Sequence, residues 1–236
     1  MSDTRVLLIG VGGLGTATSR VLLQSGIRRL TLLDDDVVDQ SNLHRQLLFQ
    51  DRHIGTPKIE AAAEVLHDLH PGPNHLALMH DRFVPENAMK LAKAHDIIVE
   101  GADNLATKFL AADAAHLAGI PIVQAGVVQW NGWALGHAPQ RGSCCLRCVF
   151  EGMPSSAAAN CEQDGVIGPA VGVVAALQAA LTLDLLKGES GSLWTYAGLQ
   201  GIYRRLKPTP RADCALCTGK IHELSLDLYG APACER

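Results

Sequence analysis

The chain has 236 residues, 47% of them hydrophobic and 19% charged, with a formal net charge of −4. That length suits one well-buried α/β domain and leaves two full domains cramped. The acidic balance argues against nucleic acid as the main partner, because phosphate binding favours a basic surface.

Residues 6–9 form an apolar run that ends in Gly10, Gly12, Gly13 and Gly15 and continues with helical character. The run starts almost at Met1, which leaves no room for a signal peptide and implies a cytoplasmic protein. A second apolar run, 30–33, stops at Asp34. The order strand, glycine turn, helix, strand, with an acid about 20 residues after the glycines, is that of a nucleotide-binding βαβ unit. Glycines let the backbone approach phosphate, the helix start offers free N–H groups, and Asp34 is placed to accept from ribose hydroxyls. A dinucleotide site and a purely structural turn share this pattern.

The residues that follow narrow it. Asp36, Ser41, Asn42, Leu43, His44, Arg45 and Gln46, then Gly55, Pro57 and Lys58, put an amide, a guanidinium and an ammonium beyond the same strand end. A dehydrogenase has no need of such a cluster. An enzyme that directs attack at an α-phosphate does, because negative charge grows there in the transition state. The bland alternative is a solvated loop with ordinary surface charges.

Through the glycine turn and the Ser41-Asn-Leu-His-Arg-Gln46 signature, the chain resembles the ThiF/MoeB/HesA family over nearly its whole length. Members of that family are bacterial relatives of ubiquitin-activating enzymes, and they adenylate the C-terminal glycine of a small ubiquitin-like sulfur-carrier protein. The resemblance implies a Rossmann-like α/β fold, a mostly parallel sheet flanked by helices with an antiparallel extension and a four-cysteine zinc site. It also implies ATP and Mg2+ as cofactors, a carrier ending in Gly-Gly, a cysteine desulfurase or rhodanese-type sulfur donor, and a homodimer. Family members usually carry an Arg-Tyr-x-Arg-Gln segment before the first strand, whose arginine reaches the partner's site. Here the first strand is preceded by Met1-Ser-Asp-Thr-Arg5, with no such segment.

Further along, residues 56–70 have a helical apolar rhythm in Ile59, Ala62, Ala63, Leu66 and Leu69, broken by Pro71 and Pro73. Residues 75–80 read as a strand, 86–93 as a short helix and 95–100 as a strand ending at Gly101, Ala102, Asp103 and Asn104. A carboxylate at such a strand end suits Mg2+ beside a nucleotide phosphate, but Asp followed by Asn is equally good capping chemistry for a helix over 104–118. The family resemblance favours the metal role for Asp103, with Asn104 beside it. Residues 120–124 predict another strand, and 127–137 an antiparallel strand or hairpin. The uncharged stretch 165–183 approaches the length of a membrane span, yet Pro169, Gln178 and the nearby Asp184 fit a helix buried against a sheet. Segments 192–198 and 201–208 predict a β-hairpin.

Seven cysteines include two CxxC pairs, Cys145/Cys148 and Cys214/Cys217. In a reducing compartment such pairs read as ligands of one tetrahedral Zn2+, brought together by the fold, with a redox pair or unrelated buried thiols as alternatives. Cys144 is the spare, since Cys145 gives the two-residue gap of a knuckle. Cys161 stands alone in a small, polar stretch, Asn160-Cys-Glu-Gln-Asp-Gly-Val166. It is either an incidental thiol or, by resemblance to ThiF-type members, the residue that passes sulfur to the carrier. That stretch and Phe49 lean towards a ThiS-like carrier of thiamine synthesis, with a MoaD-like carrier of molybdopterin synthesis as the alternative. The assembled expectation is one domain over 1–236, a nucleotide half (1–127) and a carrier and zinc half (128–236), with catalysis by Arg45, Lys58, Asp103 and Cys161. A scaffold that keeps the fold without catalysis, and an NAD-dependent oxidoreductase, are the readings of other classes.

Overall fold

The computed structural model describes residues 2–72, 74–152 and 165–229. Strand β1 (Arg5–Ile9) lies at the centre of the parallel part of the sheet, and its side chains alternate between two apolar layers. Val6 and Leu8 enter one layer, Leu7 and Ile9 the other. A strand covered on both faces has no polar side to show, which is why the sequence here is a continuous apolar run.

The remaining strands are β2 (Arg29–Leu33), β3 (His75–Met79), β4 (Ile97–Glu100), β5 (Ile122–Val128), β6 (Asn131–His137), β7 (Leu193–Ala197) and β8 (Ile202–Leu206). All eight belong to one sheet in the order β3-β2-β1-β4-β5-β6-β7-β8. The first five in that order run parallel, and the last three extend the sheet antiparallel from β5. The chain order reverses direction across the sheet between β1 and β4, so the loops after these two strands open a crevice at their C-terminal ends.

Helices α1 (Gly13–Gln24), α2 (Lys58–Leu69) and α6 (Gly168–Leu186) supply Leu22, Leu66 and Val174 to the layer that receives Val6. Helices α3 (Pro85–Ala94), α4 (Leu105–Ala118) and α5 (Leu146–Phe150) supply Leu91, Phe109 and Leu146 to the other. The α/β architecture with an antiparallel extension agrees with the sequence reading. Two details differ. Strand β5 runs on to Val128, and β6 returns from a turn at Gln129 and Trp130, so residues 127–137 are the bend and second arm of a hairpin. Ala125 and Gly126 pair with Ala134 and Trp133 across it, a long-range pairing that weak local strand propensity conceals.

The apolar stretch expected as a buried helix is α6, displaced a few residues towards the C-terminus. It is long and apolar enough to cross a membrane, with a mean hydropathy of 1.7, but half of it is buried inside the fold. Thr18 Oγ1 of α1 donates to the Ala175 carbonyl and to Gln178 Oε1 at 2.8 Å, polar contacts that make sense only with α6 packed on α1 and the sheet.

Candidate functional site

The site begins where β1 ends. Gly10 has φ +84°, and a Cβ there would stand 2.9 Å from the Ala102 amide nitrogen, so the turn after β1 and the turn after β4 touch backbone to backbone. A Cβ on Gly15 would overlap the Gly10 carbonyl oxygen. Only glycine at both places lets α1 start this close to the strand end. Gly12 caps α1 without any side-chain hydrogen bond, so no described side chain satisfies the first-turn N–H groups.

Asp34, at the end of β2, closes one side. Its Oδ2 accepts from the Val11 amide at 2.6 Å and its Oδ1 from the Asp36 amide at 2.9 Å. Burial pushes this carboxyl above its usual range, opposed by the nearby Lys58 ammonium and the two amide donors. Lys58 opens α2 and is 6% exposed, and its Nζ donates to Asp36 Oδ2 at 2.6 Å. Asp36 thus steers the ammonium to the strand end.

The signature segment folds over the glycine turn. A Cβ on Gly13 would stand 3.2 Å from the Arg45 carbonyl, one on Gly12 3.7 Å from Gln46 Nε2, and one on Gly168 of α6 2.8 Å from the His44 carbonyl. Asn42 organises the segment, its Oδ1 accepting from Gln46 Nε2 at 2.7 Å and from Arg45 Nη2 at 3.2 Å. The buried Gln46 Oε1 has no partner among the described residues. Ser41 bonds locally to Asp39, and Leu43 packs against the core. His44 is exposed, 3.5 Å from Arg45.

Asp103 follows the Ala102 backbone that backs onto Gly10. The helix cap is Asn104, whose side chain accepts from the Thr107 amide at 2.8 Å, and Asp103 is exposed with no hydrogen bond or ion pair among the described residues. Of the two sequence alternatives, the geometry gives the cap to Asn104. Arg5 lies at the opposite end of β1, paired with Asp96 at 2.7 Å. Cys161 falls outside the described residues; the chain re-enters them at Gly165, whose carbonyl accepts from the Gln129 amide at the β5–β6 turn.

Behind the site is a buried polar group that the sequence reading missed. Glu100, at the tip of β4, is fully buried and faces Lys108 of α4, whose Nζ stands 3.1 and 3.2 Å from its two oxygens. Burial pushes the Glu100 carboxyl up, opposed chiefly by Lys108. Gln124 Nε2 donates to Glu100 Oε2, and Gln178 Nε2 of α6 to the Glu100 carbonyl at 2.7 Å. A lysine set in the apolar face of 105–118 was the available signal.

The four knuckle cysteines meet at α5. Their sulfurs lie 3.7 Å apart for Cys145–Cys148, 3.6 Å for Cys145–Cys214 and for Cys148–Cys217, and 3.5 Å for Cys145–Cys217. Four thiolates bonded to one zinc at roughly 2.3 Å have sulfur–sulfur edges of about 3.8 Å, so the donor set fits that ion. The Arg211 amide points at Cys148 Sγ from 3.4 Å, a contact suited to a ligating thiolate. Burial pushes Cys217 up to about 12, and a bound dication reverses that. Cys144 stays outside the set, as the knuckle spacing implies.

A family model described as the ThiF family matches residues 1–216. The chain belongs to the ThiF family. Among its ThiF-family relatives is the "Adenylyltransferase and sulfurtransferase MOCS3" of Xenopus laevis, 37% identical over 98% of this chain and 52% of that protein. The "Adenylyltransferase and sulfurtransferase uba4" of Emericella nidulans is 34% identical over 93% of this chain and 49% of that protein. The chain thus spans about half the length of the curated relatives it matches. Its fold is also that of E. coli MccB solved with ATP, with a TM-score of 0.77, 21% identity, and coverage of 92% of this chain and 68% of that one.

Proposed function

We propose that this ThiF-family chain adenylates the C-terminal glycine of a small ubiquitin-like sulfur-carrier protein. The observation that carries the reading is convergence. The start of α1, the Asn42–Arg45–Gln46 segment folded over it, and Asp103, which has no bond among the described residues, all lie at the ends of β1, β2 and β4. The names of the curated relatives, adenylyltransferase and sulfurtransferase, support it.

In this reading the glycine turn and the first N–H groups of α1 receive the triphosphate of ATP, and Asp34 accepts from the ribose. Asp103 holds Mg2+, which neutralises charge on the phosphates when bound. Arg45 and Lys58 bear on the phosphates where charge develops, Lys58 exchanging Asp36 for phosphate oxygen. A carboxylate oxygen of the carrier's terminal Gly-Gly attacks the α-phosphorus, the bond to the β-phosphate oxygen breaks, and pyrophosphate leaves with that electron pair. The product is a carrier acyl-adenylate, open to a sulfur nucleophile: a persulfide on Cys161 or an external donor of the cysteine desulfurase or rhodanese type. The Cys145/Cys148/Cys214/Cys217 set holds Zn2+ as a structural tie, and the working form is a cytoplasmic homodimer.

The Asn160-Cys161 stretch and Phe49 favour a ThiS-like carrier; a MoaD-like one fits the same geometry. Carrier-dependent ATP–pyrophosphate exchange with Mg2+ tests the proposal and names the carrier. Exchange with one Gly-Gly carrier is expected, and Asp103→Ala is expected to abolish it while melting like the native protein. Exchange retained in that variant removes Asp103 from the mechanism. Exchange absent with every carrier, with ATP still bound, points to a scaffold.

A further inference from the structure

The buried group of Glu100, Lys108, Gln124 and Gln178 has no evident reason to exist on grounds of stability. Two charges have been taken out of water, Glu100 fully and Lys108 to 4% exposure. The cost of that desolvation generally cancels the attraction between such a pair, so a buried ion pair stabilises no better than apolar packing of the same volume. What the group does uniquely is join backbones. Lys108 Nζ donates to the Ala125 carbonyl of β5 at 2.6 Å, and Gln124 Nε2 to the Lys108 carbonyl at 2.8 Å. Gln178 Nε2 holds the Glu100 carbonyl from α6, and Thr18 of α1 holds Gln178 Oε1. The tips of β4 and β5 and three helices are thereby joined at one residue, α4 through the Glu100 carboxylate and α6 and α1 through its backbone carbonyl.

That carboxylate also reaches forward. Glu100 Oε1 accepts from the Ala102 amide at 2.6 Å, across the turn that ends one residue before Asp103. The same turn is wedged against the glycines: a Cβ on Gly101 would stand 3.3 Å from the Gly15 nitrogen, and one on Gly10 2.9 Å from the Ala102 nitrogen. Any swing of Glu100 moves Ala102, and with it both the wall of the phosphate cradle and the carboxylate that follows.

We propose that Glu100 and Lys108 are positioning residues, which fix the 101–103 turn so that Asp103 meets a nucleotide-bound divalent cation at the start of α1. The inference rests on the ATP-binding reading above and adds to it the pair that sets metal affinity. It also explains why Asp103 makes no bond of its own among the described residues: its place is set through the backbone, leaving both oxygens for the cation.

The test is calorimetric binding of ATP to the purified chain with and without Mg2+, which needs no carrier and no turnover. The variants are Lys108→Met, Lys108→Arg, and the double variant Glu100→Gln with Lys108→Met, which leaves no unpaired buried charge if the single variant misfolds. Asp103→Asn sets the floor. In a folded double variant the gain in ATP affinity from Mg2+ is expected to fall by about tenfold, the usual cost of losing a group that orients a metal ligand. ATP affinity without Mg2+ is expected to stay within about twofold, and Lys108→Arg to restore most of the gain. A folded double variant with the full gain overturns the positioning role, and so does a double variant that fails to fold. A native chain that binds no ATP overturns the function proposal itself, so the two failures are told apart.

Discussion

Single residues carry the site through space more than through charge. Gly15 and Gly12 stand three apart in the same turn, yet a methyl group meets different surroundings at each. At Gly15 it overlaps the Gly10 carbonyl, a rigid backbone atom, while at Gly12 it meets only the end of the Gln46 side chain at 3.7 Å. Gly15→Ala is therefore expected to lower stability by about 3 kcal/mol and to abolish ATP binding. Gly12→Ala is expected to keep the fold. Urea unfolding of the two variants, with ATP titration of each, checks the contrast. The sequence showed the glycines but not this difference, because both fit one motif. It also left Asp103 between metal ligand and helix cap; the Asn104–Thr107 bond gives the cap to its neighbour.

At the level of elements, the cysteine knuckles join α5 to the segment after β8, and Arg147 inside the first knuckle pairs with Asp113 of α4 at 2.7 Å, where Tyr229 also donates. Chelation is expected to remove one zinc per chain and lower the melting temperature. Cys214→Ser is expected to do the same, while Cys144→Ser leaves metal content at one; metal analysis and a melting curve decide it. A second element-level expectation concerns acid. His116 on α4 stacks on His137 of β6, with Nδ1 and Nε2 3.0 Å apart. Burial and the neighbouring His116 hold His137 down to about 4, against 6.5 for a free ring. The folded state thus binds protons less well than the unfolded one. Stability is fully present above pH 6.5 and declines as pH falls towards about 4, by about 3 kcal/mol from this ring. His137→Gln is expected to flatten that decline in urea midpoints measured between those limits. None of this was legible from periodicity. The knuckle spacing gave the thiols, but Lys108, Asp113 and His116 are charged or polar residues on a helix whose pattern reads simply as apolar, and their partners lie on other elements.

For the whole molecule, ligand and fold are linked. If ATP binds at the ends of β1, β2 and β4, MgATP at 100 times its dissociation constant adds about 2.7 kcal/mol. In a chain of this size that raises the melting temperature by about 5–10 °C. NAD at equal concentration is expected to give no shift; a shift with NAD and none with MgATP would return the chain to the oxidoreductase reading. The parallel half was legible because β1, β2 and β4 carry apolar runs, broken in β2 only by Thr31, that end in glycine or acid. The antiparallel half was harder to read, since Gly126, Gly132 and Gly136 dilute its strands and their pairing is set by contacts far along the chain. Strand β8 ends that half with all five residues exposed, including Ile202, Tyr203 and Leu206. Among the described residues no strand pairs its outer rim, a row of backbone donors and acceptors that is a template for sheet growth between molecules. Arg204 and Arg205 interrupt the apolar residues on that rim, and Lys207 and Pro208 follow at once. Arg205 is engaged by Asp184, so it is Arg204 and Lys207 that set like charge against like across two such rims, and proline cannot continue the ladder. The last strand of the sheet thus carries its own guard against sheet growth, and the same side chains also tie it to the fold, Arg205 through Asp184 and Trp194 and Tyr203 through Tyr196.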